Sequence, residues 1–220
     1  MYEYQLPIPN RQPRKGHLIK VTGEGEVAVQ PDTASINLGV LTERKELIAA
    51  QQLNSDGVSK VINSLTSIGI LKDLIRTFDY RIESDYDFVQ GKQIFRGYKI
   101  THILQVKIDN LTSIGHVVDT AVQNGVNYVS NVQFSVKNKQ AIYQKALSVA
   151  ILHAIEKAKT IANTLKVTLI PTPTLVVEDG YTVQPFLNQP GTFVKGVSTT
   201  QFEPGQLLVE ARISAEFHHY

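Results

Sequence analysis

The feature that most constrains the fold of this chain is a glycine-bearing stretch near its start, Val21–Ala34, with the sequence VTGEGEVAVQPDTA. A dinucleotide-binding loop requires glycines that end a strand and open a helix, so that the helix N-terminus meets the pyrophosphate. The residues after Gly25 instead continue to alternate as a strand, with Val27 and Val29 on one face. Pro31 ends this run, and apolar alternation then resumes. The pattern therefore predicts two strands joined by a Pro-Asp turn and excludes a nucleotide cradle.

Composition limits the class of protein. The chain has 220 residues, of which 42% are hydrophobic and 19% charged, as in ordinary globular proteins. Its formal net charge of +2 is too small to predict a nucleic-acid partner. The absence of cysteine excludes disulfides, thiolate nucleophiles and cysteine-bound zinc. No apolar run approaches the roughly 20 residues of a membrane-spanning helix, so no membrane span is expected.

The first 16 residues are polar and contain three prolines and a basic cluster of Arg11, Arg14 and Lys15. They lack the apolar run of a secretory signal peptide. We therefore expect a flexible N-terminal arm over residues 1–16 and a cytoplasmic protein.

Hydrophobic periodicity predicts an α+β fold, with an antiparallel-rich sheet covered by about three helices. The longest helix carries alanine at every fourth position, which lets a helix approach a sheet closely. We predict a single domain over residues 17–220. Strands are predicted at Leu18–Gln30, Thr33–Thr42, Val126–Val136, Thr168–Val177 and Gln206–Phe217, with a long hairpin between Leu74 and Ile108 and helices at Lys45–Ile68, Thr112–Asn124 and Lys139–Leu165.

The segment Glu178–Gly205 differs from the rest, because it combines prolines and glycines with several large apolar residues. A loop this long within a domain is usually functional or mobile, and its apolar content is not typical of a flexible linker. We expect it either to fold back on its own core or to pack on another subunit. Its candidate interface residues are Tyr181, Phe186, Phe193 and Phe202.

Gly23 and Gly25 allow two interpretations. In a structural interpretation they permit a bulge or the close approach of a neighbouring backbone. In a functional one, the glycine-bearing strand is an edge that pairs with another subunit, which makes both glycines candidate interface residues.

No catalytic, cofactor-binding or metal-binding residue is predicted. His102 shares a strand face with apolar residues, so we expect a partly buried structural histidine. His153 and Glu156 are expected to form a surface pair rather than a metal site. Asp85 and Asp87 could perform acid–base chemistry at the hairpin tip, but a solvated tip is the better explanation of these carboxylates. Asn110 is predicted to cap the second helix.

Together these residues resemble the SIMPL-domain family, whose members include YggE-like and periplasmic immunogenic proteins. The opening signature is Val21–Gly25 followed by Pro31–Ala34, and Gly97–Ile100 resembles the central strand of the family. Tyr143–Leu147, continued by further alanines to Ala162, resembles the long helix. The resemblance implies an α+β fold, bacterial origin, large homo-oligomers in some members and links to stress. It implies neither an established enzyme activity nor an agreed set of catalytic residues.

The leading hypothesis is a non-catalytic, self-assembling protein with a stress-related or scaffolding role. The alternative is a protein- or ligand-binding module that uses residues 178–205 as a recognition loop for an unidentified partner. A hydrolase that uses Asp85 and Asp87 is a third hypothesis.

Overall fold

The computed structural model describes residues 17–186 and 202–220, and within them alternating apolar residues form strands that flank three α-helices. The described chain contains both antiparallel-rich sheets and α-helices, which confirms the predicted α+β class. The strands are β1 (Leu18–Val29), β2 (Thr33–Arg44), β3 (Ile75–Val89), β4 (Lys92–Ile108), β5 (Tyr128–Val129), β6 (Gln133–Ser135), β7 (Leu175–Phe186) and β8 (Gln206–His218), and the helices are α1 (Leu47–Ser67), α2 (Ile114–Gln123) and α3 (Lys139–Leu165).

Contacts divide the described chain into two compact units. The first unit comprises residues 17–29, 138–185 and 208–220, and the second comprises 30–137, 186 and 202–207. That residues 17–220 form a single domain stays a prediction.

The first unit is a three-stranded sheet, in the order β1-β8-β7, with α3 packed on it. The predicted alanine stripe faces this sheet, and its small side chains allow the helix and the strands to approach closely. On β8 the predicted apolar face is buried from Leu207 to Phe217, with Phe217 fully inaccessible. The buried stripe consists of Ala146, Ala150, Ala154, Ala158 and Ala162.

The second unit has a sheet in the order β3-β4-β2-β5, and β6 also pairs with β2. β2 and β4 pair antiparallel from Ala34 opposite Ile108 to Arg44 opposite Tyr98. Alternate apolar residues of both strands form one core with the buried residues of α1 and α2. In this core Asn54 is the buried polar residue of α1, and its amide donates to the Val40 carbonyl at 2.8 Å.

Glycine and asparagine residues set the ends of α1 and α2. Gly69 and Gly125 have φ angles of +94° and +114° and follow α1 and α2, as expected of C-terminal caps. The Asn110 side chain accepts a hydrogen bond from the Thr112 N–H at 3.2 Å. Its predicted capping role is therefore confirmed, although the first turn, Leu111–Ser113, is 3₁₀ and α2 begins at Ile114.

The strand predicted at Val126–Val136 is wrong as a single element. The structure has two short pieces, β5 and β6, each paired with a different part of β2. Between them, the Ser130 hydroxyl accepts from the Asn37 N–H at 3.0 Å. This contact between a side chain and the backbone replaces a regular ladder and interrupts the strand.

The loop predicted from Glu178 onward is also wrong at its start, because β7 continues to Phe186. Thr182 and Val183 favour a strand, and β8 supplies a partner of matching length. Gly180, with a φ of +109°, absorbs a local irregularity without ending the strand. Across the described residues, no helix combines the length and apolar character needed to cross a membrane.

Candidate functional site

The glycines of the opening signature lie against the backbone of α3. A Cβ atom added at Gly23 would stand 2.0 Å from the carbonyl oxygen of Ala150, and one at Gly25 would stand 2.0 Å from that of Ala146. Because backbone atoms cannot move aside as a flexible side chain can, only glycine fits at either position. The structural interpretation, a close approach of neighbouring backbone, therefore accounts for both glycines.

The outer edge of β1 is closed by side chains of α3. β1 stands at one end of the sheet order, so half of its backbone groups have no neighbouring strand among the described residues. The Lys157 ammonium donates to the Thr22 carbonyl at 3.0 Å. His153 Nδ1 lies 3.0 Å from the Glu24 carbonyl oxygen and 3.4 Å from the Glu24 nitrogen. Covering an edge with charged or polar side chains is a common protection against pairing with another chain.

The predicted interface residues of the 178–205 segment fall in different places. Tyr181 and Phe186 belong to β7, whereas Phe193 lies outside the described residues. Phe202 is half-buried and packs against the core of the second unit. At Phe202, then, the segment folds back on its own chain.

The most exposed apolar surface that sequence reasoning missed is on the β3–β4 hairpin. β2 pairs with β4 only as far as Tyr98, whereas β3 and β4 continue together to Val89 opposite Lys92. Residues 85–97 therefore form a two-stranded ribbon with no third strand among the described residues. Gln90 and Gly91, with φ angles of 51° and 78°, form its turn, as expected of a tight hairpin.

One face of this hairpin, which we term the aromatic face, is apolar and uncovered. The register places Tyr86 opposite Phe95, and their rings meet edge to face at a centroid distance of 5.6 Å. A bulge at Arg96 brings Phe95 onto the same face as Tyr98, at 5.2 Å. Phe88, near the tip, is 77% exposed. The aromatic face consists of Tyr80, Ile82, Tyr86, Phe88, Phe95 and Tyr98.

The opposite face carries the hairpin carboxylates, and these lie beside arginines. Arg96 lies 3.7 Å from Asp85 and 3.8 Å from Asp87. Arg81 Nε pairs with Asp79 at 2.8 Å. Because these groups are largely solvated, each ion pair adds little stability. These ion pairs balance the charge of the hairpin.

Two of the histidines, His102 and His153, make contacts within the fold. His102 is half-buried as predicted, its Nε2 lies 3.2 Å from the Thr77 hydroxyl, and its ring meets Tyr80 edge-on. Burial lowers the pKa of His102. His153 contacts the backbone of β1, as described above. Within residues 17–186 and 202–220, no group of three or more histidine or acidic side chains is placed to share a metal ion.

An open cleft of about 530 Å³ lies on the polar side of the first unit's sheet. Its lining includes Glu24, Glu26, Asp179 and Glu210. The Arg212 guanidinium lies 2.7 Å from Glu24 and balances part of this negative charge. The acidic character of the cleft is therefore reduced from within the chain.

Comparison with known proteins finds bacterial relatives. The "26 kDa periplasmic immunogenic protein" of Brucella melitensis is 31% identical over 150 residues, covering 66% of this chain and 60% of that protein. The "Uncharacterized protein YggE" of Escherichia coli K12 is 29% identical over 154 residues, covering 70% of this chain and 62% of that protein. The chain thus matches about 60% of the length of these relatives. Since the SIMPL family model, described as a protein of unknown function (DUF541), matches residues 19–217, the chain belongs to the SIMPL family.

Proposed function

We propose that this protein is a non-catalytic, self-assembling scaffold and that copies associate through the aromatic face of the β3–β4 hairpin. The observation that carries the proposal is the continuity of this face along a ribbon that no third described strand supports. An isolated two-stranded hairpin is marginally stable in water and normally needs packing on one side. A partner on the aromatic face would supply that packing.

The size of the face is adequate for an interface centre. Its most exposed members, from Tyr80 to Phe95, are between 40% and 77% accessible. Because large aromatic side chains present about 150–250 Å² each, the face exposes on the order of 500 Å². A standard interface takes about 800 Å² from each partner, with an apolar centre and a polar rim.

A second copy is the simplest partner for this face. Two ribbons packed face to face would bury both apolar surfaces and leave both charged faces in water, as in a small β-sandwich. Such a contact is isologous, because each copy offers the same surface to the other.

The test is native mass by light scattering on a sizing column at two salt concentrations. We expect an assembly that persists at high salt, because apolar burial is not screened as surface charge is. Replacing Phe88 and Phe95 with serine should lower the mass. Val89→Ser with Ile94→Ser is the matched control, since these exposed residues lie at the same tip but on the opposite face. An equal loss of mass in both variants, or none in either, would contradict the proposal.

The same measurement examines the predicted role of residues 178–205. Phe186→Ser with Phe193→Ser should lower the mass only if that segment also takes part in assembly. A monomeric parent protein would favour the alternative, a binding module whose exposed face receives a different protein. A pull-down that depends on Phe88 and Phe95 would then identify the partner.

We propose further that the protein is not an enzyme, that it acts in a stress response and that it is cytoplasmic. A hydrolase would lose activity in Asp85→Asn with Asp87→Asn. The stress role is tested by deleting the gene and measuring growth under oxidant and envelope stress. Fractionation of the source cell tests the location, because the Brucella relative is named periplasmic.

A further inference from the structure

The first unit carries two histidines side by side at one end of its sheet. His17 directly precedes β1 and His219 directly follows β8, and these two strands are neighbours in the sheet. The His219 N–H donates to the His17 carbonyl at 3.0 Å. The centroids of the two imidazole rings are 5.2 Å apart, and the ring planes are inclined at 53°. The fold therefore brings together two imidazoles that are far apart in the sequence, which we term the histidine pair.

The histidine pair lies at the border between the core of the first unit and solvent. Because alternate residues of a strand point to the same face, His17 shares its face with Ile19, and His219 shares its face with Phe217. Ile19 and Phe217 are both buried in the core that the sheet forms with α3. On its other side His219 is bridged to Leu169, which packs against the same core. His219 is consequently half-buried, whereas His17 is exposed.

The ring of His219 holds a buried nitrogen that the protein does not satisfy. Its Nδ1 has no hydrogen-bond partner in the part of the chain that the structure describes. A buried polar atom without a partner costs free energy, so such an atom in a folded protein indicates a water, an ion or a functional role. A neutral imidazole offers one lone pair on a ring nitrogen, and this lone pair is the group that binds transition metals. A metal ion between the two rings would supply the partner that Nδ1 lacks.

The separation of the two rings suits a shared ion. A zinc ion lies about 2.1 Å from a ligating imidazole nitrogen, and hence about 3.2 Å from the centroid of that ring. Two imidazoles on one tetrahedral ion therefore have centroids about 5.2 Å apart. The centroids of His17 and His219 already have this separation. Rotation about the Cβ–Cγ bonds can aim a nitrogen of each ring at a common point with little movement of the centroids, so the strands need not move.

We infer that His17 and His219 together bind one divalent transition-metal ion, and that His219 binds it through Nδ1. Imidazole ligands suit Zn²⁺, Cu²⁺ and Ni²⁺, whereas Mg²⁺ and Ca²⁺ prefer oxygen ligands. With two protein ligands from residues 17–186 and 202–220, the ion keeps further coordination positions for water or another ligand. Because the ligands flank β1 and β8, the ion binds the folded first unit and stabilises it. The site lies outside the aromatic face, so the inference goes beyond the proposed assembly and does not depend on it.

The test is calorimetric titration of the full chain, without a histidine tag, with Zn²⁺ at slightly alkaline pH, where imidazole is neutral. We expect one ion per chain. His17→Gln and His219→Gln should each weaken binding on the order of 10-fold or more, and the double variant should lose little further, because one ion needs both rings. Zn²⁺ at about 100 times its Kd should raise the Tm of the parent by about 5–10 °C but not that of the double variant. His17 is exposed, so His17→Gln should keep the fold.

Matched controls use the other histidines and another ion. His218→Gln removes the histidine next in sequence to His219, which lies on the opposite face of the strand. His153→Gln removes a histidine of α3. Neither change should alter the affinity for Zn²⁺, and Mg²⁺ in place of Zn²⁺ should give no shift in Tm. Nitrogen NMR of the histidine rings should show that Zn²⁺ changes the Nδ1 signal of His219.

The outcomes separate this inference from the proposed function. Equal Zn²⁺ affinity in the parent and in the double variant, or an equal loss in His218→Gln, overturns the metal site. A change confined to Nε2 of His219 contradicts ligation through Nδ1. Native mass measured with a chelator present tests the assembly by itself. An assembled protein without the metal site leaves the proposed function standing, and a monomer that binds Zn²⁺ through both histidines supports the metal site alone.

Discussion

Replacing Gly23 with alanine tests the closest contact in the first unit. The new Cβ would lie 2.0 Å from the Ala150 carbonyl oxygen and 2.9 Å from the Ala154 Cβ. To restore a separation of even 3.0 Å between the new Cβ and the Ala150 oxygen, α3 must withdraw from β1 by about 1 Å. A gap of that size removes about a quarter to a half of the dispersion energy of each separated contact.

The magnitude follows from two opposing terms. Overpacking a core by a single methyl group typically destabilises by about 1–3 kcal/mol, and an immovable backbone oxygen places this site at the upper end. Alanine offsets about 0.4–1 kcal/mol by restricting the unfolded chain. We therefore expect a net loss of about 2–3 kcal/mol. For a chain of this length, about 2–4 °C of Tm per kcal/mol gives a fall of roughly 4–12 °C.

The assay is thermal unfolding followed by circular dichroism, with urea unfolding at equilibrium. Gly57→Ala is the control, because its Cβ would meet only a Val40 methyl group at 3.1 Å and alanine favours the helix that contains it. Adding Ala154→Gly should rescue little, since the main obstacle is the Ala150 carbonyl. A Gly23→Ala protein that melts within about 2 °C of the parent would refute the close approach of α3 to β1.

Two further predictions concern the second unit. Asn54→Ala should lower the free energy of unfolding by about 1–3 kcal/mol, because it leaves the Val40 carbonyl without its donor, whereas exposed Gln52→Ala should have little effect. For His102, burial lowers the folded-state pKa below the usual 6.5, so the unfolded state binds more protons as pH falls below 6.5. Stability contributed by neutral His102 should therefore be present above pH 6.5 and be lost as the pH falls toward the folded-state pKa, a slope that urea unfolding should find absent in His102→Gln.

Strong helical and strand periodicity was sufficient to predict most elements. The bounds of α3 agree with prediction because its alanine stripe is a local signal. The glycine signature predicted a strand for the same reason. Its contact partner could not be predicted, because nothing in the sequence states that Ala146 and Ala150 cross that strand.

The surfaces depend on register, which sequence alone does not fix. Tyr86 and Phe95 alternate like buried strand residues, yet they lie on a face that is also exposed at Tyr80 and Ile82, where β2 still pairs with β4. A signal was present nevertheless, since the hairpin strands are longer than their neighbour and remain aromatic to the tip. The order of strands in the first unit, which places β8 in the middle, likewise could not be predicted from the sequence.

The discontinuity of the first unit has a consequence for synthesis on the ribosome. β1 ends at residue 29, whereas its sheet partner β8 spans residues 206–218 and is therefore made much later. Residues 30–137 form most of the second unit in one uninterrupted stretch, so they can fold while the chain is still growing. At about 5–20 residues per second, β1 waits roughly 10–40 s for β8 to be synthesised. During that interval a glycine-bearing strand remains without its neighbour, so the first unit is completed only after the continuous stretch of the second unit has been made.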